Sequence, residues 1–238
     1  MSGVFGATCA LSDEQIDQVR ELLRHRGRDS SGARTFAVRD GHVTFVHTRL
    51  AIQDPTPLGN QPMTSRDGKW CLNFNGELYN HFTLRARVGG EFQGTSDTES
   101  LVEYIAAYGV AEALAVIDGI FAFTALNVET GALYLARDPF GVKPLYYAKR
   151  GTTLYVSSEV RPLVRMGCGG GMDSGALETF LTLRFVPSPN TLLAGISRLP
   201  PGHFMRVDAA TGETEVHRYV RPTEHRYHGT IEDAATLY

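Results

Sequence analysis

The residues best suited to chemistry in this sequence are Asn75 and Gly76, which interrupt a strand-like run at residues 72–80. Glycine lets a backbone amide approach a ligand closely, and the asparagine side chain supplies a second donor, so the pair has the parts of an oxyanion hole. The same dipeptide is the strongest signal for a two-residue hairpin turn. Taken alone, the pair favours the turn and leaves the oxyanion hole as the alternative.

An arginine and an aspartate offer a second kind of chemistry. Arg49 lies near the end of a strand-like segment, and Asp97 lies in the first turn of an expected helix. Arginine binds a carboxylate through two parallel hydrogen bonds and aspartate accepts from an ammonium, so the two would hold an α-amino acid. The alternatives are a salt bridge for Arg49 and helix-start stabilisation for Asp97, and each residue alone favours its alternative.

The composition is that of a globular chain with no marked electrostatic preference. The 238 residues are 42% hydrophobic and 21% charged, with a net charge of −3. No stretch approaches the roughly 18 apolar residues of a membrane span, and the start lacks the basic residues of a signal peptide. We therefore predict a cytoplasmic protein with neither nucleic acid nor membrane as partner.

The three cysteines are far apart, which indicates neither a disulfide framework nor a metal site. We interpret them as buried or incidental thiols. Cys168 stands among glycines and is expected to be exposed.

Two helices that position these candidates are marked by their caps. Ser12 and Gln15 have the spacing of a capping box, in which the serine accepts from a backbone amide and the later side chain reaches back. Ser96 and Glu99 repeat that spacing, and Gly109 is expected to end the second helix. Apolar residues at helical spacing follow both starts.

Between and after these helices the sequence changes to paired strands. Turn residues at 40–41, 67–68, 129–131 and 150–151 adjoin runs of β-branched and aromatic residues. Many antiparallel strands, few helices and no regular alternation of the two predict an α+β fold with helices covering the sheets.

A glycine-rich break at residues 167–171 precedes a predicted helix at 173–183 and a predicted hairpin at 203–219. We place the main domain at residues 2–165 and interpret residues 166–238 as its extension and a linker toward another domain. The last residues resemble a helix that has barely begun, which suggests a shortened chain or a split gene. Residues 169–174 superficially resemble a phosphate loop but lack a preceding buried strand, so no nucleotide site is predicted there.

Eight short motifs in collinear order resemble class II glutamine amidotransferases, whose reading frames begin Met-Cys-Gly-Ile and lose the methionine. The last three of these motifs resemble the asparagine synthetase branch of that family. The matching segments are residues 1–6, 26–32, 47–52, 61–63, 74–80, 96–99, 136–147 and 157–159.

The resemblance implies an N-terminal-nucleophile hydrolase fold, an αββα sandwich of two antiparallel sheets between helical layers. It implies that the residue at position 2 attacks the side-chain amide of L-glutamine, with its own α-amine relaying the proton. Asn75 and Gly76 would form the oxyanion hole. Arg49 would hold the α-carboxylate of glutamine and Asp97 its α-amino group.

The resemblance also implies the rest of the pocket and the partners. Ile52 and Gln53 would line the pocket through backbone atoms, and Glu77 would add a polar contact. Ammonia would pass to an ATP-dependent synthetase domain or subunit outside these residues. ATP and Mg are implied only for that partner, so no cofactor and no metal is predicted for this domain. A homo-oligomer is left open.

Position 2 departs from the family because it is serine rather than cysteine. A thiol has a pKa of about 8.5, close to the roughly 7.7–8.0 of an α-amine, whereas a serine hydroxyl is several units higher. We therefore predict a glutaminase slowed by Ser2. The alternatives are a naturally inactive binding or scaffolding domain of a synthetase-like biosynthetic protein, and an amide hydrolase with a true serine nucleophile. If Met1 is retained, the Ser2 nitrogen is an amide and cannot act as the base.

Overall fold

The computed structural model describes residues 1–220 and 228–236. Within them the strands are β1 (Gly3–Ala7), β2 (Ser30–Val38), β3 (Gly41–Arg49), β4 (Met63–Thr64), β5 (Trp70–Leu78), β6 (Gly119–Asn127), β7 (Ala132–Arg137), β8 (Tyr146–Arg150), β9 (Thr153–Ser157), β10 (Ile196–Arg198), β11 (His203–Asp208) and β12 (Thr214–Arg218). The α-helices are α1 (Asp13–Leu23), α2 (His81–Val88), α3 (Asp97–Tyr108), α4 (Val110–Val116), α5 (Val160–Arg165), α6 (Ser174–Leu183) and α7 (Ile231–Thr236).

These strands form two six-stranded sheets. The order in the first sheet is β10-β8-β9-β1-β3-β2, and in the second it is β12-β11-β7-β6-β5-β4. All the strand pairs are antiparallel, so the predicted α+β class is confirmed. The first strand, β1, lies inside its sheet between β3 and β9, and β5 pairs along its whole length with β6.

Three apolar clusters give the molecule its layers. The cluster between the sheets includes Phe45 of β3 and Leu126 of β6. A second cluster packs α1 and α5 against the outer face of the first sheet, and a third packs α2, α3 and α4 against the second sheet. Each sheet buries one apolar face against the other sheet and its second face against helices, which explains the four stacked layers. The predicted αββα sandwich is confirmed.

The capping signals found in the sequence are largely realised. Ser12 and Gln15 form the complete capping box of α1. At α3 the Ser96 side chain accepts from the Glu99 amide at 3.2 Å. The second hydrogen bond of the predicted capping box, from the Ser96 amide to the Glu99 side chain, does not form, so that part of the prediction is wrong. The Glu99 carboxylate accepts instead from the amides of Gln93 and Gly94, in the loop before the helix.

The segment after residue 166 adds strands to both sheets, β10 to the first and β11 and β12 to the second. The expectation that Cys168 is exposed is wrong: its side chain is only 4% exposed and packs in the cluster beneath α5. Residues 169–174 follow α5 rather than a strand. The boundary at residue 165 stays a prediction, and residues 221–227 and 237–238 of the predicted linker lie outside the described residues.

No helix in the described part of the chain is both long enough and apolar enough to cross a membrane.

Candidate active site

One pocket at the end of the sandwich is lined by every residue that the sequence put forward as a site residue. The lining includes Ser2, Arg49, Ile52, Gln53, Asn75, Gly76, Glu77 and Asp97. It also includes Met1, Gln61 and Lys143, which were not predicted as site residues. The chemical roles of these side chains stay predictions, but their convergence on one pocket is a feature of the fold.

Ser2 is held at the pocket by two hydrogen bonds, just before β1 begins. Its hydroxyl oxygen accepts from the Leu50 amide at 3.2 Å, and its carbonyl accepts from Nε of Arg26 at 3.0 Å. Met1 precedes it, so the Ser2 nitrogen in this form of the chain is an amide. Burial, with the nearby Arg26 and Lys143 cations, lowers the pKa of the Met1 α-amine. The Met1 α-amine is thus shifted toward its neutral form.

Arg49 ends β3 and is only 5% exposed. Its guanidinium donates four hydrogen bonds into the loop that follows, to the carbonyls of Gln53, Asp54 and Thr56 and to Oδ1 of Asn60. Gly59 has no side chain, and this allows the guanidinium to pack against that loop. Arg49 makes no salt bridge within residues 1–220 and 228–236, so the salt-bridge alternative is wrong.

Asn75 and Gly76 lie inside β5, where they pair with Ala122 and Phe121 of β6. The hairpin-turn interpretation is therefore wrong, because the strand continues through both residues. A Cβ at position 76 would collide with the Ile120 carbonyl, so only glycine fits this close strand pairing. Nδ2 of Asn75 is buried and has no hydrogen-bond partner among the described residues. An unsatisfied buried donor is costly, and a ligand that accepted a hydrogen bond here would offset that cost.

Asp97 begins α3 and faces the pocket while almost fully buried. Its Oδ2 accepts from the Leu78 amide at 3.0 Å. Burial raises the pKa of Asp97 to about 6, the Leu78 and Thr98 amides oppose that rise, and the nearby Glu77 charge adds to it. The carboxylate is thus ionised at neutral pH but incompletely compensated, which favours a cationic ligand.

The remaining predicted residues form the outer wall of the pocket. Ile52 is 68% exposed, in the loop after β3. Nε2 of Gln53 donates to Oε1 of Glu77 at 3.4 Å, a long hydrogen bond that joins this loop to the end of β5. The bond connects the two sides of the pocket.

A polar pair lies one step deeper between the sheets, and sequence reasoning missed it. His47 and Asn73 are both fully buried, and Nδ1 of His47 lies 2.7 Å from Oδ1 of Asn73. Alternate residues of a strand share a face, so His47 shares a face with Arg49, and Asn73 with Asn75. In both strands, two polar residues at two-residue spacing follow apolar residues on the same face. That pattern could have identified the pair from the sequence.

No group of three or more His, Cys, Asp or Glu side chains that could hold a metal ion occurs in the described residues.

Comparison with known proteins places this chain in a family. Residues 1–220 match the family model described as a glutamine amidotransferase domain. The chain is 38% identical over 207 residues to glutamine-hydrolyzing asparagine synthetase 1 of Bacillus subtilis, covering 84% of this chain and 32% of that protein. It is 35% identical over 211 residues to glutamine-hydrolyzing asparagine synthetase 1 of Arabidopsis thaliana, covering 86% of this chain and 31% of that protein. The chain thus spans about a third of the length of these relatives.

The fold is shared with a solved enzyme of lower sequence identity. The structure of glutamine phosphoribosylpyrophosphate amidotransferase from B. subtilis, complexed with ADP and GMP, aligns with a TM-score of 0.69 at 20% identity. The alignment covers 92% of this chain and 50% of that one. With the family match over residues 1–220, these similarities show that the chain belongs to the class II glutamine amidotransferases, as a domain of the asparagine synthetase type with the N-terminal-nucleophile hydrolase fold.

Proposed function

We propose that this domain binds L-glutamine in the pocket between the sheet ends and hydrolyses its side-chain amide, slowly with Ser2 as nucleophile. The observation that carries the proposal is the buried Nδ2 of Asn75, which has no hydrogen-bond partner among residues 1–220 and 228–236. Asn75 lines the pocket together with Ser2, Arg49 and Asp97. A buried donor without a partner is rare because leaving it unsatisfied costs about 1–3 kcal/mol. A developing oxyanion would satisfy it.

The amino-acid end of glutamine would be held by charges of opposite sign. Asp97 accepts from the α-ammonium, and this contact compensates a carboxylate whose pKa burial has raised to about 6. Arg49 would donate to the α-carboxylate from the other side of the pocket, either through Nε or by exchanging one of its hydrogen bonds to the loop at residues 53–60. Gln53 and Glu77 close the outer wall, and Ile52 gives it an apolar surface.

The chemistry would proceed through an acyl intermediate once Met1 has been removed. The Ser2 hydroxyl attacks the amide carbon of glutamine as its proton passes to the Ser2 α-amine, which then protonates the leaving nitrogen. Asn75 Nδ2 and the Gly76 amide donate to the oxyanion. Ammonia leaves, water hydrolyses the glutamyl ester to glutamate, and a synthetase domain or subunit takes up the ammonia.

Serine makes the first step slow. Proton transfer from a hydroxyl to an α-amine is uphill by several pKa units, whereas a thiol and an α-amine are nearly matched. The pKa of the Met1 α-amine, one residue before Ser2, is lowered by burial and by the nearby Arg26 and Lys143 cations, and the same surroundings would make a Ser2 α-amine a weaker base. We therefore expect glutamine binding close to that of a cysteine form and a much lower turnover.

The test compares glutaminase turnover of the Ser2 chain with that of its Ser2→Cys variant, with the N-terminus of both checked by mass spectrometry. We expect turnover to rise roughly 100-fold or more with cysteine, while the affinity for glutamine changes little. Ser2→Ala is the control and should bind glutamine without turnover. Equal turnover of the parent chain and the Ser2→Cys variant would instead support a true serine hydrolase.

A second candidate function is a binding or scaffolding domain without glutaminase activity. The observation in its favour is that both terminal nitrogens of the Arg49 guanidinium are already engaged by the loop at residues 53–60. Calorimetry with glutamine separates the candidates, because a scaffolding domain should bind no glutamine either as the parent chain or as the Ser2→Cys variant.

A further inference from the structure

The pair His47 and Asn73 lies directly behind the pocket, in the layer between the sheets. Both side chains are fully buried. In β3 the inward-facing residues run Val43, Phe45, His47 and Arg49, and thus change from apolar to polar toward the pocket. The inward-facing residues of β5 change in the same way. Between the apolar residues of the sheet interface and the residues that line the pocket, the pair is therefore the first polar position on each strand.

The hydrogen bonds of Asn73 fix its orientation. Its Nδ2 donates to the carbonyls of Phe5 and Val46 at 3.0 and 3.1 Å. Carbonyls only accept, so this atom must be the amide nitrogen, and Oδ1 must face Nδ1 of His47 as an acceptor. His47 therefore carries its proton on Nδ1, and the buried Nε2, which has no partner in the described part of the chain, is left with a lone pair. Burial lowers the pKa of His47 to about 4, so the ring is neutral at physiological pH.

These bonds connect the two sheets at three points. Asn73 belongs to β5 of the second sheet, whereas Phe5 is in β1 and Val46 and His47 are in β3 of the first sheet. The surrounding contacts between the sheets are apolar, and apolar contacts are non-directional, so they resist separation of the sheets better than sliding. Three directional hydrogen bonds from one side chain resist sliding as well.

The connected strands hold the proposed nucleophile on one sheet and the proposed oxyanion donors on the other. Ser2 directly precedes β1, and its hydroxyl is held by Leu50, which directly follows β3. Asn75 and Gly76 lie two and three residues beyond Asn73 in β5. A lateral shift between the sheets would therefore move the nucleophile relative to the oxyanion donors.

We propose that His47 and Asn73 are positioning residues that fix the alignment of the nucleophile at the end of one sheet with the oxyanion donors at the end of the other. The inference rests on the proposed glutaminase function. Neither side chain lines the pocket, so they act through the strands that they connect.

The test uses two amide substitutions of His47 in the Ser2→Cys form, His47→Asn and His47→Gln. The asparagine nitrogen takes the place of the histidine Nδ1 and keeps a donor facing Asn73. The glutamine nitrogen takes the place of Nε2, which has no partner within the described ranges. We expect His47→Gln to lower kcat about 10-fold or more with KM changed less than about threefold, because small misplacements affect reaction more than binding. His47→Asn should retain kcat within about threefold of the parent.

Thr124→Val provides the matched control. Thr124 pairs with Asn73 across β5 and β6, is also fully buried, and its hydroxyl has no partner in the part of the chain that the structure describes. Its replacement should leave kcat and KM as in the parent. Urea unfolding of all variants shows whether the preparations are folded under assay conditions.

The outcomes separate this inference from the proposed function. A Ser2→Cys parent that neither binds nor hydrolyses glutamine overturns both. An active parent whose His47→Gln variant keeps kcat, or whose His47→Asn variant loses as much kcat as His47→Gln, overturns the positioning role alone. If His47→Gln does not fold, Asn73→Asp replaces it: the new oxygen faces the Phe5 and Val46 carbonyls, and the same loss of kcat at similar KM is expected.

Discussion

The two sides of the pocket differ in how their polar groups are used before any ligand arrives. On the side of the first sheet, Arg49 donates four hydrogen bonds to its own loop, and Ser2 is held by Arg26 and Leu50. On the side of the second sheet, Nδ2 of Asn75 has no partner in the described residues and Asp97 is ionised at some cost. The polar groups of the first side are thus engaged within the fold, whereas those of the second side are incompletely compensated.

The largest expected effect lies on the second side, at Asn75. In the Ser2→Cys form, Asn75→Ala should lower kcat by about 10²–10³-fold, because one oxyanion donor is lost. The free energy of unfolding should change by less than about 1 kcal/mol, because the deleted donor has no hydrogen-bond partner among the residues that the structure describes. Steady-state kinetics and urea unfolding measure both quantities.

Asn73→Ala is the control for the stability measurement, because it makes the same substitution at an asparagine two residues earlier in β5 whose side chain is hydrogen-bonded. It deletes three hydrogen bonds and should lower the free energy of unfolding by about 3 kcal/mol. If Asn75→Ala proved as destabilising as Asn73→Ala, the contrast between a free donor and an engaged one would be wrong.

An intermediate effect is expected at Asp97, in stability rather than rate. Its folded pKa of about 6 exceeds the unfolded value of about 3.9, so the folded state binds more protons between those pH values. The associated stability is present below about pH 4 and is lost as the pH rises through 6. Asp97→Asn should therefore raise the free energy of unfolding by up to about 2–3 kcal/mol at pH 8, and by much less at pH 4.

The same carboxylate should make glutamine binding depend on pH. Affinity of the parent should fall about tenfold per pH unit below 6, because a protonated Asp97 must lose its proton to bind an ammonium. At pH 8, Asp97→Asn should bind glutamine about 30- to 100-fold more weakly, for the loss of a buried charge contact. Calorimetry across pH 4.5–8 measures this, and a parent affinity that stays constant down to pH 5 would contradict a ligand role for Asp97.

The smallest effect is expected on the first side, from Arg49→Lys. Lysine has three donors on one atom and cannot reach the four acceptors that Arg49 serves. We expect faster amide hydrogen exchange in residues 53–60 and an affinity for glutamine about tenfold lower. Arg39→Lys, on an exposed hairpin turn, is the control and should change neither. Loss of affinity without faster exchange would show that Arg49 serves the ligand rather than the loop.

The elements that the sequence predicted correctly depend on local rules. The capping box of α1 and the turn between β2 and β3 each use residues a few positions apart, so a short window contains all the information. The family motifs added the αββα arrangement. Helices α2, α4 and α5 went unrecognised in the sequence, and α2 has neither a side-chain cap nor an acidic residue in its first turn.

The failed predictions involve contacts between distant residues. Asn75-Gly76 resembles a turn until β6 is known to pair with both residues. Glu99 has the spacing of a capping box, but the loop at residues 93–94 provides better-placed amides. Cys168 follows a glycine, and only the packing beneath α5 buries it. The hydrogen bonds between His47 and Asn73 belong to the same class, because they exist only once the sheets are stacked.

The position of β1 inside its sheet has a consequence for synthesis. The amide of Val4 donates to the hydroxyl of Ser158 at 3.0 Å, 154 residues later in the chain. At about 5–20 residues per second, a ribosome needs roughly 8–30 seconds to produce that partner after β1 has been made. Through that interval the first strand lacks one of its neighbours, and the amino end stays accessible to processing enzymes. Removal of Met1, which the proposed chemistry requires, can thus take place on the growing chain before the sheet closes around β1.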